Sequence, residues 1–259
     1  MSEFRAEKRV VVAADAHALA AGVADRFLHR IQKRAAAGKQ THVLLSGGSA
    51  FAAVLDALGR ADRRSDVDWS VVHFWWGDER FLPSDAADRN EAVARDKFLS
   101  RIRVPDENIH AIAASDAGLD HDGASAAYAA ELARFGTGEH AWPTFSICFL
   151  GVGADGHIAS LFPDRAEIGD TEHAVLPVRH SPVPPSERIT LTRPVINSSR
   201  RVWLVLPGVD KASALGLALA GASYHSVPAA GAKGRRQTVF FVDQDAAAGV
   251  PEELIDPEF

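Results

Sequence analysis

What the chain has little of narrows its function first. It holds one cysteine, Cys148, in 259 residues, so no disulfide can form within it. That cysteine sits in the apolar run Phe145-Ser146-Ile147-Cys148-Phe149-Leu150, which suits a small buried hydrophobe better than a catalytic thiol. No stretch approaches the roughly 18 successive apolar residues of a membrane-crossing helix. The first twelve residues carry Glu3 and Glu7 among their cations and no apolar block. No secretory signal is therefore expected, and a reducing cytoplasm is the simplest home. Positive charge is also scarce: 28 Lys and Arg against 34 Asp and Glu leave a net charge of -6. That speaks against nucleic acid, whose phosphates reward a basic face, but it leaves room for a small anion held by a few local cations. There is no internal repeat, no His-Glu-x-x-His or comparable ligand spacing, and no Gly-Lys-Ser/Thr. No metal, no cofactor and no Walker-type loop are expected.

What is present is an alternation of short β-rich runs and helical segments. Strands are expected at Arg9 to Ala13, Thr41 to Leu45, Val71 to Trp76, Phe145 to Leu150, Arg201 to Leu206 and Thr238 to Val242. Helices are expected from an Asp15 cap to about Lys33, at Phe51 to Leu58, Asn90 to Leu99 and Ala124 to Phe135, and from about Lys211 to Leu219. Several strands are apolar throughout, as in a parallel sheet buried on both faces. The expected fold class is α/β: a doubly wound, mainly parallel sheet with helices on both faces, Rossmann-like. One domain is expected over 1–259, with short flexible termini. In such sheets ligands bind beyond the carboxyl ends of the strands. Four motifs begin where strands end, at Ser46, Gly77, Gly151 and Pro207.

Ser46-Gly47-Gly48-Ser49 lies between a strand and a helix. Its backbone N–H groups and the helix dipole suit a phosphate, although a tight turn alone would use the same glycines. Gly77-Asp78-Glu79-Arg80 puts three charges after an apolar run. Arg80 offers a planar fork to an anion, and Asp78 could meet sugar hydroxyls; the alternative is a solvated loop. Asn90 reads as a further polar group or simply a helix cap. Gly151-Val152-Gly153-Ala154-Asp155-Gly156-His157 contains a Gly-x-Gly-x-x-Gly match. Pro163 follows too soon for the long helix of a dinucleotide site, and the run Ala174 to Val178 ends on Arg179 rather than an acid. His157 is the better reading of that stretch, as a base working near neutral pH with Asp155 to orient it. Lys211 and Arg188 are further candidate phosphate contacts. Asp120-His121-Asp122 reads as a polar loop.

Together these segments resemble the 6-phosphogluconolactonase family, within the glucosamine-6-phosphate deaminase and isomerase superfamily, from about Val10 to Val242. The strongest marks are Leu44 to Ser49, Trp76 to Arg80 and Leu150 to Pro163, supported by Arg188 to Thr192 and by Pro207-Gly208 with Lys211-Ala212. The deaminases continue Asp-Gly-His toward Ala-Phe-Asn-Glu-Pro and carry Asp-Glu-Tyr. Here Ala159-Ser160-Leu161-Phe162-Pro163 and Asp78-Glu79-Arg80 stand instead, as in lactonases. Two positions depart from the family pattern. Ala50-Phe51 replaces a common Thr-Pro, and Asp164 replaces a common glycine.

The resemblance implies hydrolysis of 6-phospho-D-glucono-1,5-lactone, a sugar-phosphate lactone of the pentose phosphate pathway. His157 would be the base. Arg80 or backbone N–H groups of Gly153 to Gly156 would meet the oxyanion. Ser46, Gly47, Gly48, Ser49, Asp78, Gly156, Arg188 and Lys211 would hold substrate. The alternatives are a deaminase or isomerase on the same fold and a non-catalytic sugar-phosphate sensor. The expected state is a monomer or small homo-oligomer. Exhaustive dialysis against a chelator should leave the hydrolysis rate unchanged. A loss restored by one divalent ion would reject the metal-free reading.

Overall fold

The structure is a computed structural model and describes residues 7–138 and 140–256. The expectation of short flexible termini falls on residues 1–6 and 257–259, which lie outside the described residues. In chain order the elements are β1 (Glu7–Ala13), α1 (Ala16–Ala35), β2 (Thr41–Leu45), α2 (Ser49–Arg60), β3 (Val72–Trp76), β4 (Asp78–Arg80), α3 (Asn90–Lys97), β5 (Ile109–His110), α4 (His121–Ala133), β6 (Phe145–Gly151), β7 (Val175–Val178), β8 (Arg188–Leu191), α5 (Arg193–Asn197), β9 (Arg201–Leu206), α6 (Ala212–Leu219) and β10 (Gln237–Asp243).

Seven strands form one sheet in the order β1-β10-β9-β6-β2-β3-β5, and every pairing is parallel. Helices cover both faces, as neighbouring residues of β3 make plain. Phe74 packs on Phe98, just after α3, and on Trp69, just before β3. Trp75 points the other way, onto Tyr128 of α4 and Phe135 just after it. Burial on both faces is why these strands carry almost no polar alternation. The Rossmann-like doubly wound sheet is therefore as expected. Among the described residues no helix is long and apolar enough to cross a membrane.

β2 and β6 are neighbours, but the chain leaves them in opposite directions. From β2 it moves to β3 and β5; from β6 it moves to β9 and β10. The loops that follow them diverge and open a crevice at the carboxyl edge, the switch point where such sheets bind ligands.

One alternative falls and one expectation changes. The residues after Gly77 do not form the solvated loop that stood as the alternative reading. They form β4, which pairs antiparallel with β8, and β8 pairs with β7 in a second, three-stranded sheet. Three charged residues carry no apolar period, so pattern reading passes over such a strand. Asp120-His121-Asp122 is not a loop either, since it opens α4. The Asp120 carboxylate accepts the Gly123 N–H at 2.7 Å, a helix-capping bond. His121 is buried against Phe81 and donates to the Arg188 carbonyl at 2.7 Å.

A polar cluster is buried in the sheet near its β5 edge. Trp75 Nε1 donates to His42 Nδ1 at 3.1 Å. His73 and His110 share a 3.0 Å hydrogen bond, and His110 Nδ1 donates to Glu131 at 2.8 Å. Burial, reinforced by the neighbouring histidines, pulls His42 down to about 3 and His73 to about 4. Burial also lowers His110. At these histidines the folded state thus binds fewer protons than the unfolded chain below about pH 6.5. They therefore make stability fall as pH drops from there toward about 4, while Glu79, raised to about 7, acts in the opposite sense. Each such histidine contributes a slope of about 1.4 kcal/mol per pH unit. His73→Gln should flatten the fall between pH 7 and pH 5 in urea unfolding; equal slopes in the two proteins would contradict this.

Candidate active site

The loops after β2 and β6 meet at the switch point. The Gly151 N–H donates to Ser46 Oγ at 3.0 Å and ties them together. Gly48 sits at φ 86° as the residue before α2, a backbone that favours glycine, and α2 begins at Ser49 rather than Phe51. Gly47 is required for a different reason. A Cβ there would lie 2.1 Å from Asn90 Oδ1. The Asn90 side chain is itself held, donating to the Asp78 carbonyl at 2.9 Å. Asn90 is therefore a wedge under the glycine loop, on the first residue of α3, and not its cap.

A cavity of about 220 Å³ opens beside this seam. Of the residues expected to act on substrate, Ser46, Gly47, Gly48, Ser49, Asp78, Arg80, His157, Arg188 and Lys211 all line it. Gly156 is not among the lining residues. At φ 84° it turns the chain against Val227 and donates its N–H to the Gly153 carbonyl. The Gly153 N–H is likewise given to the His157 carbonyl. These two N–H groups are thus already engaged, which removes them as oxyanion donors.

Asp155 stands behind His157. Its Oδ1 lies 2.6 Å from His157 Nδ1 and also accepts the His157 backbone N–H at 3.1 Å. Burial opposes ionisation of Asp155, but the bonds from His157 outweigh it and hold the carboxyl below its ordinary value. An ionised carboxylate can only accept, so Nδ1 carries the proton and a neutral ring has its lone pair on Nε2. Phe162 packs on the ring at 4.6 Å, and Gly153 leaves no Cβ where one would strike it at 2.1 Å.

The two acids after β3 are buried rather than solvated, and Arg80 is half-buried. Asp78 is 4% exposed and accepts the Ser160 hydroxyl at 2.7 Å. The Glu79 carboxylate accepts the N–H groups of Arg80, Asn90 and Glu91 at 2.7 to 2.9 Å, fixing the start of α3 against β4. Burial pushes Glu79 up to about 7, against the pull of Arg89 and those three donors. Arg188 is also largely committed. Its Nε and one terminal nitrogen donate to the carbonyls of Val183, Pro184 and Pro185, and its other terminal nitrogen lies 3.9 Å from Asp78. Arg80 donates to the Asp88 carbonyl. Among the described residues Lys211 forms an ion pair with the exposed Asp210, a pair of little energetic weight. Ser160 and the wedge role of Asn90 escape sequence reasoning. Neither residue type in isolation signals a buried contact, although Ser160 stands within the most informative motif.

Residues 14–241 match the family of glucosamine-6-phosphate isomerases/6-phosphogluconolactonase. The chain belongs to this family. It is 41% identical to the 6-phosphogluconolactonase of Streptomyces coelicolor, over 96% of this chain and 97% of that one. It is 41% identical to that of Mycobacterium tuberculosis, over 92% and 96%. Among solved structures, a 6-phosphogluconolactonase from Thermotoga maritima aligns with a TM-score of 0.79 at 26% identity, over 92% of this chain and 100% of that one. A monomeric glucosamine-6-phosphate deaminase, at 20% identity and a TM-score of 0.76, shares the family's fold.

The Gly47 contact yields a prediction. Gly47→Ala should destabilise the protein by about 1–3 kcal/mol, the usual range for overpacking. In an Asn90→Ala background the same change should cost much less, because the obstructing atoms are gone. Additive costs in a double-mutant cycle would refute the wedge.

Proposed function

We propose that this cleft hydrolyses 6-phospho-D-glucono-1,5-lactone to 6-phosphogluconate, with His157 as general base. The observation that carries the reading is the His157–Asp155 pair beside a cavity that also holds Arg80 and Lys211. His157 Nε2 takes a proton from water as the water oxygen attacks C1. The tetrahedral intermediate collapses with cleavage of the bond from C1 to the ring oxygen. That oxygen leaves with the proton returned by His157. Asp155 keeps the ring in the reactive tautomer and steadies the imidazolium between the two transfers.

The phosphate belongs with the Ser46 to Ser49 loop and Arg80. These residues, with Asn90, line an adjoining hollow of about 200 Å³ that His157 does not reach. N–H groups at the start of α2 and the Arg80 fork are suited to it. Lys211, arriving beyond β9 next to β6, adds a second positive charge to the main cavity. Arg188 has spent most of its donors on carbonyls, so we read it as the countercharge of Asp78, not as a phosphate ligand. Asp78, so fixed, can accept hydrogen bonds from sugar hydroxyls. The lactonase names of the full-length relatives and the motif endings both favour this reaction over deamination. We take the cytoplasm as its place of work, since the single cysteine is buried and free.

His157→Ala should lower kcat by about 10²–10⁴-fold with the fold intact. Unphosphorylated glucono-1,5-lactone should be a much poorer substrate, losing kcat as well as affinity, because remote binding energy also positions C1. Arg80→Ala should narrow the gap between the two lactones. The measurement is kcat/KM for both lactones in all three proteins, corrected for spontaneous hydrolysis. Near-normal kcat in His157→Ala, or equal treatment of the two lactones by the wild type, would sink the proposal.

A further inference from the structure

At the amino ends of β9 and β10, opposite the catalytic cleft, several arginines crowd together. Arg30 and Arg34 are one turn apart on α1. Arg200 and Arg201 open β9, and Arg236 immediately precedes β10. The backbone joins the last three: Arg236 N–H donates to the Arg200 carbonyl, and Arg201 pairs with Gln237. Arg34 is oriented by bonds to Thr41 Oγ1 at 2.8 Å and to the Gln40 carbonyl at 3.1 Å. Among the described residues no carboxylate forms an ion pair with any of these five. The Nε groups of Arg30 and Arg201 are buried and have no acceptor among the described residues.

Such an arrangement of unneutralised, partly buried cations is costly. Burial lowers Arg201 to about 10, and the guanidiniums of Arg30, Arg236, Arg200 and Arg34 add to the effect. Arg34 is lowered by burial and then by Arg200 and Arg30. Like charges repel, and a buried donor without an acceptor forfeits its hydration. Both penalties disappear if an acceptor-rich anion sits among the five side chains. Planar guanidinium forks match phosphate oxygens in pairs. An extended polyanion is a poor fit, because the rest of a chain with net charge -6 repels it.

We propose that Arg30, Arg34, Arg200, Arg201 and Arg236 form a second anion site, separate from the catalytic cleft, for a compact, multiply charged phosphate compound. No residue of the cluster lines the catalytic cavity.

The test is calorimetric titration of the full chain with inorganic pyrophosphate. An Arg80→Ala background weakens pyrophosphate binding in the catalytic cleft. One saturable site should remain there. Arg30→Gln/Arg201→Gln should weaken it by about ten-fold or more, equivalent to about 1.4 kcal/mol. Arg200→Gln/Arg236→Gln, at more exposed positions, should do the same in case the first pair fails to fold. Both pairs, placed in the wild-type chain, should leave lactone hydrolysis unchanged. No saturable binding in the Arg80→Ala protein, or undiminished affinity in the folded double variants, overturns the proposal.

Discussion

The hydrogen bond from Gly151 N–H to Ser46 Oγ spans the one place in the sheet where adjacent strands lead the chain apart. β2 and β6 are held side by side by their ladder, yet the loops beyond them head toward opposite edges. Left alone, those loops would splay. The bond closes the seam at its floor, and the crevice begins directly above it. Close approach then dictates residue types. A Cβ on Gly151 would press within 3.2 Å of the Gly47 carbonyl, and one on Gly47 would enter the Asn90 side chain. The glycines are thus fixed by close packing at the seam before any ligand is considered. The N–H groups and side chains that serve a ligand are delivered by the same geometry.

The second constraint is the burial of charge. Asp78, Glu79, Arg89 and Arg188 are all nearly inaccessible, and a buried ion must be hydrogen-bonded to be tolerated. The small antiparallel sheet supplies those bonds. Pairing β4 with β8 brings Arg188 beside Asp78 across the strands. It also lets Glu79 reach the first N–H groups of α3. Arg89 completes the set through Glu91 at 3.0 Å and the Ile112 carbonyl at 2.8 Å. Rigidity follows from these partners. A carboxylate with three backbone donors does not wander, so the Asn90 wedge and the loop above it are held from below.

The parts of this design that were legible in the sequence are those written in local pattern. Largely apolar runs revealed β2, β3, β6, β9 and β10, and the motifs at their ends revealed the cleft. The pairing of His157 with Asp155 was legible as proximity, although only the fold fixes the 2.6 Å contact. What stayed hidden depends on partners distant in sequence. β4 has no apolar period, and the carbonyls that occupy Arg188 come from a loop with no side-chain signature. The two departures from the family pattern are explained by packing and backbone. Phe51 is a core residue, 4.9 Å from the Phe149 ring. Asp164 occupies φ 55°, a left-handed conformation that a short polar side chain tolerates better than most. Ala159, on the cavity wall at φ 48°, carries a strain with no sequence signal.

Residues of one type serve opposite ends in this molecule, and what separates them is unmet hydrogen-bonding capacity. His42, His73 and His110 lie stacked and bonded in the core, where burial disfavours the charged form of each. His157 has one nitrogen engaged by an ionised carboxylate, on a ring that faces a cavity. The arginines divide in the same way. Arg188 has given its donors to carbonyls and serves as a fixed positive charge. Arg80 has given up one bond and keeps the remainder of its fork at the cavity. The arginines at the far edge of the sheet include two, Arg30 and Arg201, whose buried Nε groups have no acceptor among the described residues. Orphaned donors in a folded interior are rare and expensive, and at the far edge they coincide with crowded like charges, a combination that a bound anion would relieve.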